Sequence, residues 1–385
     1  MKITDRKIVV VNQAVNYLTV GLCNEFADRF EQVALITGNV HSQGEKLSPD
    51  VKLCSIHKWQ EAHGVSKALN YLKALVKIWF LLLFRFWGYE VFFISVPPMA
   101  YLLNIVLPHR CSTIIWDVYP DIFKITSMKE SHPVYRAWAW LNRRSFPKMY
   151  RLFTIGEKMA DLVARYVDRE KIIIQPIWSI FQDNNKVSCD TNPFIEQHNL
   201  SGKFIVQYSG NIGLTHKVEV MIELAERMQD YSRILFQIIG RGPRVPVLKK
   251  MVEEKQLANC RFLPFQSDEM FPFSLSAADL GVVILDELTS KGSVPSKSYN
   301  LMSYGIPSLY IAAPDSELQG YADTFKHGRC FSENNLDQAE EFILQLSQDQ
   351  ELYREMAGNS EAAAKHFKRD NAGKFVEYYL AANPG

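Results

Sequence analysis

The 385-residue sequence lacks both the long apolar runs of membrane-spanning helices and the paired cysteines of metal or disulfide sites. Its longest charge-free apolar stretch, IWFLLLF at 78–84, is far shorter than the roughly twenty residues that a bilayer-spanning helix needs. The first residues show no apolar segment followed by a small-residue cleavage site, so we expect no secretion signal and a cytoplasmic chain. The six cysteines include no CxxC pair, which predicts reduced thiols and no structural metal.

Acidic residues are scarce in the first part of the chain. Residues 1–150 contain 18 Lys and Arg against 11 Asp and Glu, a net charge of +7, whereas residues 151–385 carry −6. A basic region of this kind can bind an anionic membrane, a nucleic acid or acidic ligands. The overall composition, 47% hydrophobic and 22% charged, is typical of globular proteins and excludes a disordered or coiled-coil chain.

Two series of short apolar runs alternate with helix-like segments, a pattern that predicts parallel sheets in two doubly wound α/β domains. The first series comprises 7–12, 32–38, 89–96, 112–118, 151–156 and 171–176. The second comprises 204–211, 233–240, 260–264, 280–285 and 308–313. The polar stretch 177–200, with Asp183, Asn184 and Asn185, is interpreted as a linker, and 349–380 as helical throughout.

These patterns predict an N-terminal domain over 1–185 and a C-terminal domain over 186–365. The helix at 366–385 is expected to pack back on the N-terminal domain. In doubly wound sheets, ligands bind at the carboxyl ends of the strands. We therefore expect a cleft between the two domains, with the chemistry along its edges.

Three motifs of the second series place small or cationic residues where strands end. YSGNIGLTHK (208–217) puts Gly210 and Lys217 between a strand and a helix, and IIGRGPR (238–244) puts Arg241 at the next strand end. In VPSKSYNLMSYGIP (294–307), Ser296 is a good N-cap and Lys297 lies in the first helical turn, where a cation is unfavourable without an anionic ligand. Each motif alone also fits an ordinary turn, but together they predict a nucleotide diphosphate site.

These three motifs resemble those of family 4 glycosyltransferases, retaining enzymes of the GT-B fold that build bacterial surface polysaccharides. The resemblance is best over 204–310, and the Pro-Ser-Lys-x-Tyr run is similar to the colanic-acid and aminosugar transferase branch. It implies two Rossmann-like domains facing a cleft. It also implies transfer of a sugar from a nucleotide diphosphate, with uridine as the preferred base, to a polyprenyl-diphosphate-linked saccharide.

The resemblance also implies residue roles. The implied catalytic residues are Asp117, Lys217 and Lys297. The implied donor-phosphate residues are Ser209, Gly210, Asn211, Arg241, Ser296 and Lys297. The donor sugar and ribose would contact Gly292, Ser293, Val294, Pro295, Tyr299 and Asn300, and the base Pro264 and Phe265. Asn12, Asn16 and Tyr17, after the first strand, are assigned to the acceptor.

This chain departs from the family pattern at several of these positions. Gly292 and Asn300 align with two glutamates of most relatives, Asn211 with a phosphate-binding arginine, and Trp116 with a histidine beside Asp117. The positive charges that bind the diphosphate would therefore come from Lys217, Arg241 and Lys297. The chain also has no Asp-x-Asp triplet of the kind that holds a metal-bound sugar nucleotide in the other major transferase fold. We therefore expect no metal and no other cofactor.

Basic and aromatic residues are interleaved in two segments of the N-terminal half. One segment is 132–153. Through it we expect contact with an anionic membrane, the inner face of the cell membrane, by Arg136, Trp138, Trp140, Arg143, Arg144 and Lys148. The second, 69–89, is either another interfacial helix or a helix buried against the sheet. Nucleic acid is not expected as a partner, because no recognition-helix, zinc-finger or RNP-like motif is present.

Two other functions also fit the pattern. A GT-B epimerase acting on a free sugar nucleotide would need acid and base carboxylates in the cleft and no membrane face. A non-catalytic partner that binds a nucleotide sugar would account for the missing glutamate at Asn300 and the missing histidine at Trp116.

Overall fold

The computed structural model describes residues 3–42, 44–58, 65–94, 96–182, 186–213, 216–288 and 290–381, with the side chains of 65–68 left aside. The chain divides into unit 1, Met1–Ile180 with Arg369–Gly385, and unit 2, Phe181–Lys368. The sequence prediction put these divisions at 185/186 and 365/366. Asp183, Asn184 and Asn185 of the predicted linker lie outside the described residues, as do Leu214 and Thr215 of the first phosphate motif.

Unit 1 is built on a parallel sheet that has, among the described residues, seven strands in the order β5-β3-β1-β6-β7-β8-β9. The central strands are buried on both faces, as expected for apolar runs between two helix layers. The strands are β1 (Thr4–Val11), β3 (Phe30–Thr37), β5 (Val51–Ser55), β6 (Glu90–Ile94), β7 (Cys111–Ile115), β8 (Leu152–Thr154) and β9 (Ile172–Ile174), with β2 (Ala14–Val15) and β4 (Asn39–Val40) forming a separate pair. The helices are α1 (Tyr17–Arg29), α2 (Val65–Phe84), α3 (Pro133–Ser145), α4 (Glu157–Val163) and α13 (Asn371–Leu380).

Unit 2 has a second parallel sheet, in which the described residues form six strands in the order β12-β11-β10-β13-β14-β15. The strands are β10 (Phe204–Asn211), β11 (Ile234–Arg241), β12 (Cys260–Leu263), β13 (Leu280–Ile284), β14 (Ser308–Ile311) and β15 (Gly328–Phe331). The helices are α5 (Pro193–Gln197), α6 (Glu219–Arg227), α7 (Val245–Glu254), α8 (Phe271–Ser276), α9 (Lys297–Ser303), α10 (Glu317–Phe325), α11 (Leu336–Gln348) and α12 (Gln350–Ala364).

The prediction of two doubly wound parallel α/β domains is confirmed, and every strand of both predicted series is present. The prediction missed the edge strands β5 and β15. In β5 only Val51 and Cys54 are buried, and β15 is a four-residue strand that begins with glycine. Neither strand has the continuous apolar run by which the central strands are recognised.

Two predicted segments need correction. Residues 177–200 are more than a linker, because Phe194, Ile195 and Leu200 pack in a hydrophobic cluster of unit 2. Their polar neighbours dominate the composition, which hides this short apolar contribution. The tail at 349–380 is not helical throughout: α12 gives way to a short 3-10 turn, Lys365–Phe367, before α13 begins.

The last helix, α13, belongs to unit 1. Its Tyr379 is fully buried among the rings of Phe26, Phe30 and Phe92, with centroid separations of 5.4, 6.0 and 5.8 Å. The Tyr379 hydroxyl donates to Glu90 Oε2 at 2.7 Å. The helix therefore completes the aromatic core on one face of the unit 1 sheet.

A buried carboxylate fixes the segment that follows β7. Asp121 is 4% exposed and accepts hydrogen bonds from the hydroxyls of Tyr135 at 2.7 Å and Tyr166 at 2.6 Å. Its oxygens also pair with Arg165 Nη1 at 2.7 Å and Lys124 Nζ at 3.1 Å. Four donors on one buried carboxylate tie the turn after β7 to α3 and to the chain after α4.

We expect Asp121→Ala to lower the free energy of unfolding by about 3 kcal/mol, because it leaves the buried hydroxyls of Tyr135 and Tyr166 without their acceptor and removes a buried carboxylate from its ion pairs. The matched control is Asp161→Ala, whose 64% exposed carboxylate pairs only loosely with Arg169, at 3.5 Å. That control should change the stability by less than about 0.5 kcal/mol. Urea denaturation followed by circular dichroism measures both, and equal effects of the two substitutions would contradict the assignment.

Candidate functional site

The carboxyl ends of β10 and β11 approach each other closely at two glycines. Gly210 and Gly240 are register partners, and a Cβ on Gly240 would lie 2.0 Å from the carbonyl oxygen of Gly210. A side chain at Gly240 is therefore excluded, so the backbone remains accessible at this edge of the sheet. This is the arrangement that lets a strand end approach a phosphate.

The ammonium group of Lys297 lies against the same edge. Its Nζ stands 3.9 Å from the ring centroid of Tyr208 and would be 3.2 Å from a Cβ on Gly210. The Nζ atom is inaccessible to solvent and has no hydrogen-bond partner among the described residues. Burial lowers the pKa of Lys297 to about 7. The neighbouring His216 imidazole has its pKa lowered to about 3, first by burial and then by the charge of Lys297.

Helix α9 begins at Lys297, as the sequence predicts, with Ser296 at the N-cap position but without a side-chain capping bond. The helix is anchored from below by Tyr299, whose hydroxyl lies 3.0 Å from that of Tyr321. Tyr299 is fully buried, so its predicted side-chain contact with the donor sugar is corrected: the ring holds α9 against the interior of unit 2. The rest of the predicted sugar and ribose set lies in this loop and helix, with Gly292 and Val294 buried and Ser293, Pro295 and Asn300 half-buried.

Arg241 and Phe265 come together at the ends of β11 and β12. Both side chains are exposed, and the guanidinium carbon of Arg241 lies 4.8 Å from the ring centroid of Phe265. Pro264, the other residue predicted for the base, is exposed beside Phe265. The structure thus brings a cation and an exposed aromatic face together on unit 2, as a nucleotide would require.

Lys217 differs from Lys297 because two carboxylates already hold it. Its Nζ lies 2.7 and 2.8 Å from the oxygens of Glu333 and 3.3 Å from Asp286 Oδ2. Hydrogen bonding to Glu333, the largest effect, raises the pKa of Lys217. The sequence analysis missed both carboxylates: Asp286 follows β13 and Glu333 follows β15, and neither forms part of a recognisable motif.

Asp117 and the residues predicted for the acceptor lie in unit 1. Asp117 is half-buried just after β7, and burial, followed by the charge of Asp117, raises the pKa of Tyr119. Asn16 caps α1 by accepting from the amide of Thr19, and Tyr17 donates to the carbonyl of Trp178 at 3.0 Å. Asn12 is fully buried, and its Nδ2 donates to Thr19 Oγ1 at 2.7 Å. These bonds serve the local fold, and the roles of these residues on an acceptor stay predictions.

Of the residues predicted to contact a membrane on and just after the basic helix α3, all but one are exposed. Arg136, Trp140, Arg143, Arg144 and Lys148 are exposed. Trp138 is buried, stacks on Tyr119 at 5.1 Å and donates from Nε1 to the Tyr101 hydroxyl at 2.9 Å. Its predicted contact with a membrane is therefore corrected by its burial. The guanidinium of Arg144 lies 3.9 Å from the ring centroid of Trp140, and Trp140 and Val134 are the large apolar side chains that α3 exposes.

Among the described residues, no group of three or more His, Cys, Asp or Glu side chains could hold a metal ion. In the same residues no helix is both long and apolar enough to span a bilayer.

Comparisons with known proteins agree with this geometry. Residues 190–363 match the family model of glycosyl transferases group 1. The chain is 31% identical over 175 residues to the putative colanic acid biosynthesis glycosyl transferase WcaI of Escherichia coli K12, covering 45% of this chain and 43% of the relative. It is 28% identical over 231 residues to the probable glycosyltransferase WbjE of Pseudomonas aeruginosa, covering 58% and 56%. The aligned residues thus span about half the length of these relatives.

Solved structures extend the likeness of fold to nearly the whole chain. HepE of Anabaena, in complex with UDP and glucose, has a TM-score of 0.72 at 12% identity and covers 97% of this chain and 99% of its own. WaaG, a glycosyltransferase involved in lipopolysaccharide biosynthesis, has a TM-score of 0.73 at 14% identity and covers 97% and 100%. The resemblance found in the sequence therefore agrees with both comparisons: the chain has the GT-B fold, and residues 190–363 are similar to the glycosyl transferases group 1 family.

Proposed function

We propose that this protein is a retaining glycosyltransferase of bacterial surface-polysaccharide synthesis. It moves a sugar from a nucleotide diphosphate, with uridine as the base, to a saccharide carried on a polyprenyl diphosphate. The observation that carries the proposal is the ammonium of Lys297, buried without a hydrogen-bond partner among the described residues at the glycine edge of the unit 2 sheet. A buried cation in such surroundings is costly unless an anionic ligand pairs with it.

The electrostatics of unit 2 support a diphosphate as that ligand. Lys297 lies at the end of β10 and Arg241 at the end of β11, and both strand ends belong to the same sheet edge. The two cations would stabilise the negative charge that builds on the departing diphosphate, each by a few kcal/mol. The diphosphate would then take the proton of the acceptor hydroxyl on the reacting face. No metal is part of this proposal.

Lys217 and Lys297 are assigned unequal shares of this stabilisation. Lys217 must give up a contact with Glu333 or Asp286 before it can bind a phosphate, whereas Lys297 has no described carboxylate to release. The net gain from binding an anion is therefore larger at Lys297. Asp117 remains our candidate for the polar contact with the reacting sugar or the acceptor hydroxyl.

The relatives support the donor and the pathway. HepE is described in complex with UDP and with UDP-glucose, and WcaI is named for colanic acid biosynthesis. A nucleotide diphosphate donor and a polysaccharide product are therefore the substrate classes that we extend to this chain. The lipid carrier of the acceptor and the retention at the anomeric carbon extend the family resemblance further.

The identity of the donor's nucleobase is tested by thermal unfolding of the purified protein with UDP, GDP, CMP and ADP. A ligand at 100 times its dissociation constant adds about 2.7 kcal/mol to the stability of the folded state. We expect UDP to raise the melting temperature clearly more than the other three nucleotides. Absence of any shift would leave the diphosphate site without support. A shift with UDP but no transfer from any UDP-sugar would favour a non-catalytic binding protein.

The contribution of each lysine to catalysis is tested by measuring the turnover of its variant with a UDP-sugar and a lipid-linked acceptor. Lys297→Ala should cut turnover at least tenfold, because it removes the buried cation that faces the leaving group. Lys217→Ala should cut it less. Lys250→Ala, which alters a lysine 75% exposed on α7, is the matched control and should leave turnover unchanged. A normally folded Lys297→Ala enzyme with full turnover would refute the assignment.

The cost of burying Lys297 predicts a gain in stability when it is replaced. In the unfolded chain its pKa is 10.5, and in the folded chain it is about 7, so between these values the unfolded state binds more protons. The penalty is complete below pH 7 and fades as the pH rises toward 10.5. Tyr208 and His216 face the group, and their own pKa values are shifted away from this window.

Lys297→Met should therefore raise the free energy of unfolding of the ligand-free protein by about 1–4 kcal/mol at pH 6.5. The gain should shrink steadily as the pH is raised to 9.5. Urea denaturation of both proteins at several pH values measures it, with Lys250→Met as the control. A gain that does not depend on pH would show that Lys297 keeps an ordinary pKa in the folded protein.

A further inference from the structure

Helix α2 of unit 1 has two apolar faces. One face packs inward, where Ala74, Ile78 and Leu82 are completely buried. The other side of the helix, together with the turn that follows it, exposes a row of large apolar side chains that we name the α2 stripe. The α2 stripe consists of Leu69 (51% exposed), Leu72 (56%), Val76 (47%), Phe80 (50%), Phe84 (77%) and Trp87 (66%).

The spacing of the α2 stripe makes it one continuous surface. Its members recur every three or four residues, so they lie along one side of a 20-residue helix that is about 30 Å long. The rings of Phe80 and Phe84 stack, with centroids 6.0 Å apart and an interplanar angle of 17°. Beside them, Leu72, Val76 and Phe80 line a groove of about 490 Å³ together with His57, Lys73 and Lys77. A contiguous apolar surface of this size on a globular protein marks a binding surface.

The charged residues of the segment that carries the α2 stripe have one sign. Lys73, Lys77 and Arg85 are exposed beside it, and the sequence has no Asp or Glu between Glu61 and Glu90. Neither Lys73 nor Lys77 forms an ion pair with a described residue. The surface is therefore complementary to something both apolar and anionic.

We propose that the α2 stripe, with Lys73 and Lys77, binds the surface of an anionic lipid bilayer. The helix lies in the plane of the interface, with its apolar side chains among the acyl chains and its ammonium groups at the lipid phosphates. Apolar side chains flanked by lysines are the pattern of interfacial helices. Each lysine near an anionic surface strengthens binding by roughly fivefold.

The same features count against other occupants. A second copy docked through this face would bring two sets of lysines together without a carboxylate between them. A nucleic acid would use the cations but would leave Leu72, Val76 and Phe80 in contact with polar phosphates. Helix α3 carries exposed cations too, but it exposes only two large apolar side chains, Val134 and Trp140, against the six of the α2 stripe.

This inference deepens the proposed function, since it assigns the surface that meets the membrane holding a lipid-linked acceptor. Binding to vesicles, however, is measured without donor, acceptor or turnover. A protein that binds UDP but no vesicle would refute only the inference about α2. A protein that binds vesicles but no nucleotide would refute only the proposed donor.

The test is flotation of the full chain with phosphatidylcholine vesicles, with and without phosphatidylglycerol, at low and high salt. We expect binding only to the anionic vesicles, weakened by salt. Phe80→Ser with Phe84→Ser should reduce binding at least tenfold, and so should Lys73→Gln with Lys77→Gln. All four side chains are at least half exposed or lie on the exposed face, so the fold should persist, which circular dichroism checks.

The matched control is Arg143→Gln with Arg144→Gln on α3, which removes the same amount of charge from a helix that exposes only two large apolar side chains, Val134 and Trp140. This control should retain most of its binding. Wild-type protein that ignores anionic vesicles, stripe variants that bind as well as wild type, or a loss of binding confined to the α3 control would each overturn the proposal. Sedimentation velocity gives a further check, because stripe variants that only dissociate a dimer would assign the surface to a second copy.

Discussion

The desolvation of one ammonium group is the constraint on which the carboxyl edge of the unit 2 sheet depends. Lys297 is brought under the glycine edge of the unit 2 sheet by α9, which Tyr299 ties to the interior. Keeping this ammonium group charged is therefore unfavourable, and a bound anion would relieve that cost. At the same edge Gly210 and Gly240 approach so closely that a side chain on Gly240 would clash with the Gly210 carbonyl oxygen.

The two lysines of the site illustrate two ways of keeping a cation ready. Lys217 is solvated and neutralised by Glu333 and Asp286, so its charge has little effect until a contact is exchanged. Lys297 is dry and has no described partner, so its charge is costly from the start. In unit 1, Asp121 shows the opposite balance, with four donors around one buried carboxylate. The buried charge with many partners thus lies in unit 1, and the buried charge without a described partner lies in unit 2.

The sequence predicted the central strands of both sheets, because runs such as IVVV in β1 and VVI in β13 are apolar on both faces. It also predicted the edge strands β9 and β12, but it missed the edge strands β5 and β15, whose exposed residues resemble loops. Lys297 was found from its unfavourable place at a helix start, but its Tyr208 contact and the carboxylates around Lys217 were not. Those contacts join residues distant in the chain, and local pattern carries no information on them. For the same reason, the burial of Trp138 was missed.

Because Tyr379 lies near the end of the chain, the aromatic core of unit 1 can be completed only late in synthesis. Unit 1 is interrupted by the whole of unit 2, Phe181–Lys368, before its last helix is made. At about 5–20 residues per second, a ribosome takes roughly 10–40 seconds to cross that interval. Throughout that time Phe26, Phe30 and Phe92 lack the ring that covers them. Unit 2 can therefore finish its core first, and the unit that begins the chain is the one that matures last.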